Sequence, residues 1–351
     1  MPSTALTIDN EYLSTTTMFI AKEFKDANHV RHAFLDEQDA HWGKGMPQKS
    51  GGTRWIQGIG TGTHSSTTRL QTGYEAINLS VAGVLTPAVF SPAHVVRPVL
   101  ISSEEEELNS GAEQIIEIAG ARVKQTIAAL MREYSQQAVQ GAVTGWEDWS
   151  TLNGEDDSSG FLEVVASGSQ NNTGVGGLSK VTYRSIAGLQ NQTYDVGGAF
   201  NSAGLTGLNR LQIDCDIHSD DDTSKRCWLA SRSGFENYKR SVQAYERYAN
   251  ASELDAGNLN LAIGGIKVRP EFYMPTAGTN TTADPISFYL IDFADIHTCW
   301  SKGKYDGYFG MDDWHSVSGE HDVRMTKIRV RGQLVYRKLS TSGTIQDAET
   351  F

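Results

Sequence analysis

One run of residues constrains this chain more than any other. From Ala112 the apolar positions fall at Ala112, Ile115, Ala119, Val123, Ile127, Leu130, Tyr134 and Ala138. They span 26 residues in seven steps, a mean of 3.7, which is the repeat of an amphipathic helix. Ser110 with Glu113 three residues on makes a capping-box pattern, and Gly141 stands where a left-handed C-terminal residue belongs. A helix over Gly111–Gln140 would be a rod of about 45 Å, well past the usual length of about 11–12 residues. It reads as an architectural spine. Glu104–Glu107 lie just upstream as a separate short turn; their charge suits a helix N-terminus, and their ordinary reading is a solvated acidic face.

Composition narrows the class. The 351 residues carry a net charge of −12, and 35 of them are glycine, about 10% against a usual 7%. No stretch reaches the 18 apolar residues of a membrane span, and Met1–Ala5 lack the basic and apolar regions of a secretion signal. The acidity argues against a protein that wraps DNA by counterion release. Cys215, Cys227 and Cys299 are sparse, odd in number and without a CxxC, which fits a reducing compartment. The expectation is a soluble, acidic, glycine-rich protein.

The glycines are not evenly spread. Eight fall in Gly43–Gly73, among many Ser and Thr, with strand-like pieces at Thr53–Gln57 and Thr67–Gln71. A connection this long is either a mobile loop or an extended hairpin that reaches a neighbour. Residues 1–42 before it read as a polar arm with a short helix over Ala21–Leu35, where Phe24, Ala27, Val30 and Phe34 share a face. Beyond the spine, Trp146–Gly177 reads as loops with one strand at Phe161–Ala166. Residues 203–218 fit helix or strand, with helix favoured. Cys227–Ala230 reads as a buried strand, followed by a helix whose capping box is Ser233 and Glu236. Strands are expected at Ile263–Val268, Glu271–Met274, Phe288–Asp292 and Met325–Leu339.

Enzyme motifs are mostly missing: there is no phosphate-binding GxxxxGK[ST], no GxSxG elbow and no HExxH. Gly58-Ile59-Gly60-Thr61-Gly62 is a glycine run without the strand–turn–helix setting of a dinucleotide site. The densest set of potential ligands is Asp214, Cys215, Asp216, His218, Asp220, Asp221, Asp222 and Cys227. It offers thiolate, imidazole and carboxylate donors, and it also reads as a solvated turn. His315, His321 and Asp312-Asp313 form a looser set. In the last strand, Lys327, Arg329 and Arg331 alternate with Ile328 and Val330, so one face is basic and the other apolar. That is either an ordinary half-buried strand with a wet face, or a face turned to an acidic partner subunit or to nucleic acid.

The order of parts resembles the major capsid proteins of tailed bacteriophages, with their HK97-like fold. Val99-Leu100-Ile101-Ser102-Ser103-Glu104-Glu105-Glu106-Glu107-Leu108-Asn109-Ser110-Gly111, running into Glu113-Gln114-Ile115-Ile116, resembles the entry to that family's spine helix. Thr173-Gly174-Val175-Gly176-Gly177-Leu178-Ser179, with Tyr183-Arg184-Ser185 after it, is similar to a glycine turn before the outer domain. Cys227–Tyr248 and Phe288–Asp292 through Ile296-His297 are similar to further elements. The resemblance covers about Gly73–Leu339. It departs in the short arm, which lacks the long coiled-coil extension of some members.

The resemblance implies an α+β fold with an N-terminal arm (1–42), an extended loop (43–73), a peripheral domain (74–184) holding the spine helix (111–140), an axial domain (185–315) and a return to the peripheral domain (316–351). It implies assembly rather than catalysis, with no cofactor or metal. The loop residues that would lie over neighbours are Lys44, Lys49, Gly51, Gly52, Arg54, Trp55, Gly58, Gly60, Gly62 and Arg69. Some members crosslink a loop lysine to a neighbour's asparagine, and Lys44 and Lys49 stand at that end of the loop. Implied partners are other copies in hexameric and pentameric capsomers, portal and scaffolding proteins, and double-stranded DNA held loosely inside, with no membrane. The implied setting is the virion, with synthesis in the bacterial cytoplasm. A sibling reading is an encapsulin-like shell. Readings from other classes are a metal-dependent hydrolase using Asp214–Asp222 and a β-rich ligand-binding module.

Overall fold

The computed structural model describes residues 32–42, 48–49, 52–61, 69, 71–73, 76, 83–108, 118–141, 152, 176–178, 189–219, 225–246, 261–275, 286–301, 310–317 and 322–346. In chain order the elements are α1 (Ala33–Trp42), β1 (Gln48–Lys49), β2 (Trp55–Gly60), β3 (Leu85–Phe90), β4 (Ala93–Ser102), α2 (Ser103–Leu108), α3 (Ile118–Val139), β5 (Gln192–Asp195), α4 (Phe200–Asp216), β6 (Arg226–Ala230), α5 (Arg232–Glu246), β7 (Ala262–Ile263), β8 (Ile266–Pro270), β9 (Ile286–Asp292), β10 (Ile296–Ser301), β11 (Gly310–Met311), β12 (His315–Ser316), β13 (Val323–Tyr336) and β14 (Gly343–Gln346). The class is α+β.

Two six-stranded sheets organise the chain. The first is centred on β13, which pairs along one side with β4 and along the other with β12, β11 and β10 in turn; β1 adds to β10. The second runs β5-β14-β9-β6-β8-β7. A separate two-stranded ribbon joins β2 to β3. The sheets do not divide the chain at one boundary. It crosses from second to first between β9 and β10, and back again between β13 and β14.

The spine of the sequence is α3, and its stripe packs on the inner face of the first sheet. Val123, Leu130, Tyr134 and Ala138 are buried, and Ala119 and Ile127 half-buried. Ile115 and the Ser110–Glu113 cap lie outside the described residues. The helix stops where expected. Gly141 has φ +82° and donates its N–H to Gln137 O at 3.1 Å, the left-handed close that a side chain would strain.

β6 and β9 are buried along their whole length. Cys227, Leu229, Tyr289 and Ile291 face the core shared with α3; Trp228, Ala230, Phe288 and Leu290 face a second core under α4 and α5. A strand covered on both faces needs no polar alternation, which is why Cys227–Ala230 reads as a continuous apolar run. The region 203–218 is helical as favoured through Asp216, with Ile217 and His218 in a turn.

Several expectations change. The described part of the first helix is Ala33–Trp42, past the expected end at Leu35; residues 21–31 lie outside the described set, as do Phe161–Ala166 and the 183–185 segment. The cap of α5 is Ser231, whose Oγ accepts the Gly234 N–H at 3.0 Å, not Ser233. Ile263–Val268 is a hairpin turning at Gly264-Gly265 rather than one strand. Glu271–Met274 is a turn, because the Glu271 carboxylate gathers nearby backbone N–H groups. No described helix is long and apolar enough to cross a membrane.

Candidate functional site

The β2–β3 ribbon has two unlike faces. Trp55 is paired with Phe90 and both are buried, as are Ile59 and Ala88. Opposed residues of an antiparallel pair share a face, so Ile56 with Val89, Gly58 with Pro87, and Gly60 with Leu85 form the other one. There Ile56 is 70% exposed and Leu85 75%, with Val84 exposed at the ribbon's far end. An alternating strand rooted in the core by Trp55 and Ile59 thus carries an uncharged apolar strip outward.

The partner of Trp55–Gly60 is Leu85–Phe90, beyond the glycine-rich stretch. Of the expected Thr67–Gln71 piece, the described residues Arg69 and Gln71 are outside any strand, and the rest lies outside the described residues. Of the loop residues, Gly58 and Gly60 sit on the outward face, Arg54 and Arg69 are exposed, and Trp55 is core. Lys49 pairs by its backbone with Ser301. Gly52 takes the Arg331 guanidinium on its carbonyl at 2.8 Å, which fastens the loop base to β13. Lys44, Gly51 and Gly62 lie outside the described residues.

The first sheet also has an open face. Register places His94 opposite Arg331, Val96 opposite Arg329, Pro98 opposite Lys327 and Leu100 opposite Met325. Lys327 and Arg329 are exposed and Arg331 half-buried, whereas Ile328 and Val330 are buried against the spine, as their alternation implies. The face is not purely basic, because Val96 is 41% and Leu100 50% exposed on the neighbouring strand. Arg329 pairs with Asp312, and Arg324, on the opposite side of the strand, pairs with Glu106 at 2.8 Å.

The acidic run is only partly solvated. Glu105 is buried and accepts two hydrogen bonds from Arg122 of α3, each 2.8 Å, and the Ser102 N–H at 3.0 Å. Ser102 Oγ accepts the Glu105 N–H at 3.1 Å, so Ser102 and Glu105 form a capping box for α2. The Arg122 guanidinium holds the Glu105 carboxyl below the ordinary carboxylate range, outweighing the opposing push of burial. Arg122 also donates to Leu100 O at 3.0 Å, and Arg97 of β4 pairs with Glu133 of α3. The spine, α2 and the long strand are thereby fastened together. Tyr134, whose phenol burial pushes far up, hydrogen-bonds Thr298 of β10.

The potential ligands near Asp214 do not converge. Cys215 is wholly buried, its thiol pushed up to about 12 by desolvation, and Cys227 is buried with its thiol also raised. Asp216 is an ion-pair partner of the buried Arg226, which Asp292 also engages at 3.3 Å. Asp220–Asp222 lie outside the described residues. Among the described residues no three or more His, Cys, Asp or Glu side chains stand together to hold a metal.

Solved structures superpose on nearly the whole of this chain. The cyanophage A-1(L) capsid subunit superposes with a TM-score of 0.62 at 15% identity, covering 96% of this chain and 99% of that one. The chain has the HK97-like capsid fold. The mature capsid of bacteriophage PhiM1 gives 0.57 at 10% identity over 94% of this chain and 91% of that chain. The holo-SrpI encapsulin from Synechococcus elongatus shares the fold too, with a TM-score of 0.52 at 10% identity over 93% and 92%. No family model and no curated protein matches the sequence.

Proposed function

We propose that this HK97-fold chain is the major capsid protein of a tailed DNA phage, a structural subunit that acts by assembly and not by catalysis. The observation that carries the proposal is the apolar strip of Ile56, Val84 and Leu85. It forms the outer face of a ribbon whose other face, Trp55, Ile59, Ala88 and Phe90, is buried in the core, and a single chain leaves it in water. In this reading the ribbon and the loop beyond it cover neighbouring subunits. The first sheet with α3 forms the peripheral domain and the second sheet the axial domain, with crossings at 293–295 and 337–342. Lys44 and Lys49 are the loop lysines available for a neighbour.

Copies arranged as hexamers and pentamers close an icosahedral shell through many identical weak contacts. Portal and scaffolding proteins are its further partners, and the shell is built in the host cytoplasm. The −12 net charge limits attraction between the shell and packaged DNA. The encapsulin likeness supports a second reading, a protein-loaded shell with the same subunit contacts. Expressing the chain and imaging by negative stain tests the proposal: closed shells support it, while shells holding only a protein cargo and no DNA during phage growth favour the second reading.

A further inference from the structure

Helix α1 lies where the two sheets meet, with contacts to β8, to the spine and to the β9–β10 connector. At its first turn the Phe34 N–H donates to Glu271 Oε2 at 2.9 Å. Glu271 is buried just past the end of β8, and its other oxygen accepts the Phe272 and Tyr273 N–H groups at 3.0 and 3.4 Å. The cap of α1 is therefore a carboxylate 237 residues away in sequence. Arg269, on β8, lies 2.8 Å from Glu37 Oε1, so the second sheet holds α1 at two points. On the other side Gln38 Oε1 stands 3.5 Å from Tyr134 Oη of the spine, which in turn bonds Thr298 of the first sheet.

Between these anchors α1 rests on the crossing itself. Phe293, the first residue after β9, has its ring 5.8 Å from Phe34 and 5.3 Å from His41. The two crossings are hydrogen-bonded to each other. Arg337 N–H donates to Asp295 O at 2.9 Å, Thr341 Oγ1 to Asp295 Oδ2 at 3.0 Å, and Asp292 N–H to Ser342 Oγ at 3.1 Å. Two short adjacent connectors, with the long chain passage from α3 to β5 as the third link between the sheets, can serve as a hinge, and a helix seated across them limits its rotation.

We propose that α1 is a releasable clamp on this hinge: seated, it fixes the angle between the sheets, and unseated, it lets the paired connectors turn. Residues 1–31 join the body through His32, whose ring stacks on Tyr273 at 5.6 Å, so a pull on them loads that stack and then the Phe34–Glu271 bond. As regulation of a shell subunit this rests on the capsid reading. The clamp itself is a property of the single chain.

Hydrogen exchange on the full-length chain tests it. Glu271→Ala should raise exchange at the α1 amides and, with them, at Phe293 and Arg337 in the connectors by on the order of 10-fold. Amides in the centre of β6 should stay unchanged. Faster exchange in α1 with Phe293 and Arg337 unchanged would overturn the clamp, as would an equal rise in β6. Glu271→Gln keeps an acceptor oxygen and loses the charge. It should show a smaller rise at the same amides, and it decides the question by the same criteria if the alanine variant does not fold. Imaging wild-type particles alongside separates the two ideas: no particles removes the shell reading, whereas particles with unmoved connectors in the variant remove the clamp alone.

Discussion

Glu105 is the residue on which strand, short helix and spine converge, and its charge matters to all three. A carboxylate held below its ordinary pKa by Arg122 stabilises the fold above the unfolded value of about 4.3, and that contribution is lost as pH falls through the lowered value. Glu105→Gln should therefore cost about 1.5–3 kcal/mol at pH 7, with the difference shrinking toward pH 3 in urea melts. An equal loss at both pH values would contradict the assignment. Gly176 is a second single-residue test. Its φ is +62°, and a Cβ there would stand 3.0 Å from Ala88 and from the Phe90 ring. Gly176→Ala should lower stability by about 1–3 kcal/mol, read as a fall in the urea midpoint at unchanged slope. The two residues differ in legibility. Ser102-x-x-Glu105 is a capping box plain in the sequence, once β4 is known to end there. The pressure on Gly176 was hidden, because it comes from a strand more than eighty positions earlier.

At the scale of elements, legibility followed locality. The spine announces itself because a period near 3.6 is a property of neighbouring residues, and β6 and β9 because double burial leaves an apolar run. The ribbon was half legible. Trp55 and Ile59 mark a strand, but Gly43–Gly73 carries too few large side chains to specify a register, and the true partner lies beyond it at Leu85–Phe90. α1 was not legible as a core helix, since its cap comes from Glu271 and its partners from β8 and the spine. Because Trp55 and Ile59 are core, removing Gly51–Gly62 would unfold part of the body. Replacing residues 63–82 with a short turn is the cleaner cut. The chain should keep its thermal midpoint within a few degrees and form no shells; normal shells would refute the role given to the loop beyond the ribbon. Ile56→Asp with Leu85→Asp should act likewise, leaving the urea midpoint unchanged and abolishing particles, because both side chains are already in water in the single chain.

At the scale of the molecule, the fold was legible through the order of parts, while the surfaces that serve function came only from pairing across long separations. The alternation of Lys327, Arg329 and Arg331 is visible in the sequence. That Val96 and Leu100 share their face is not, because it depends on the β4–β13 register. The same holds for the carboxylates and thiols near Asp214, which sit close in sequence yet are drawn apart into an ion pair with Arg226 and a buried core. What remains is a chain with one spine, two sheets joined by paired connectors, and a ribbon whose apolar outer face a single copy leaves exposed. Whether the chain assembles is decided by electron microscopy of the purified chain across a range of salt and crowding conditions. Closed, uniform icosahedral shells are expected; a stable monomer under every condition, absent from any particle, would contradict the capsid reading.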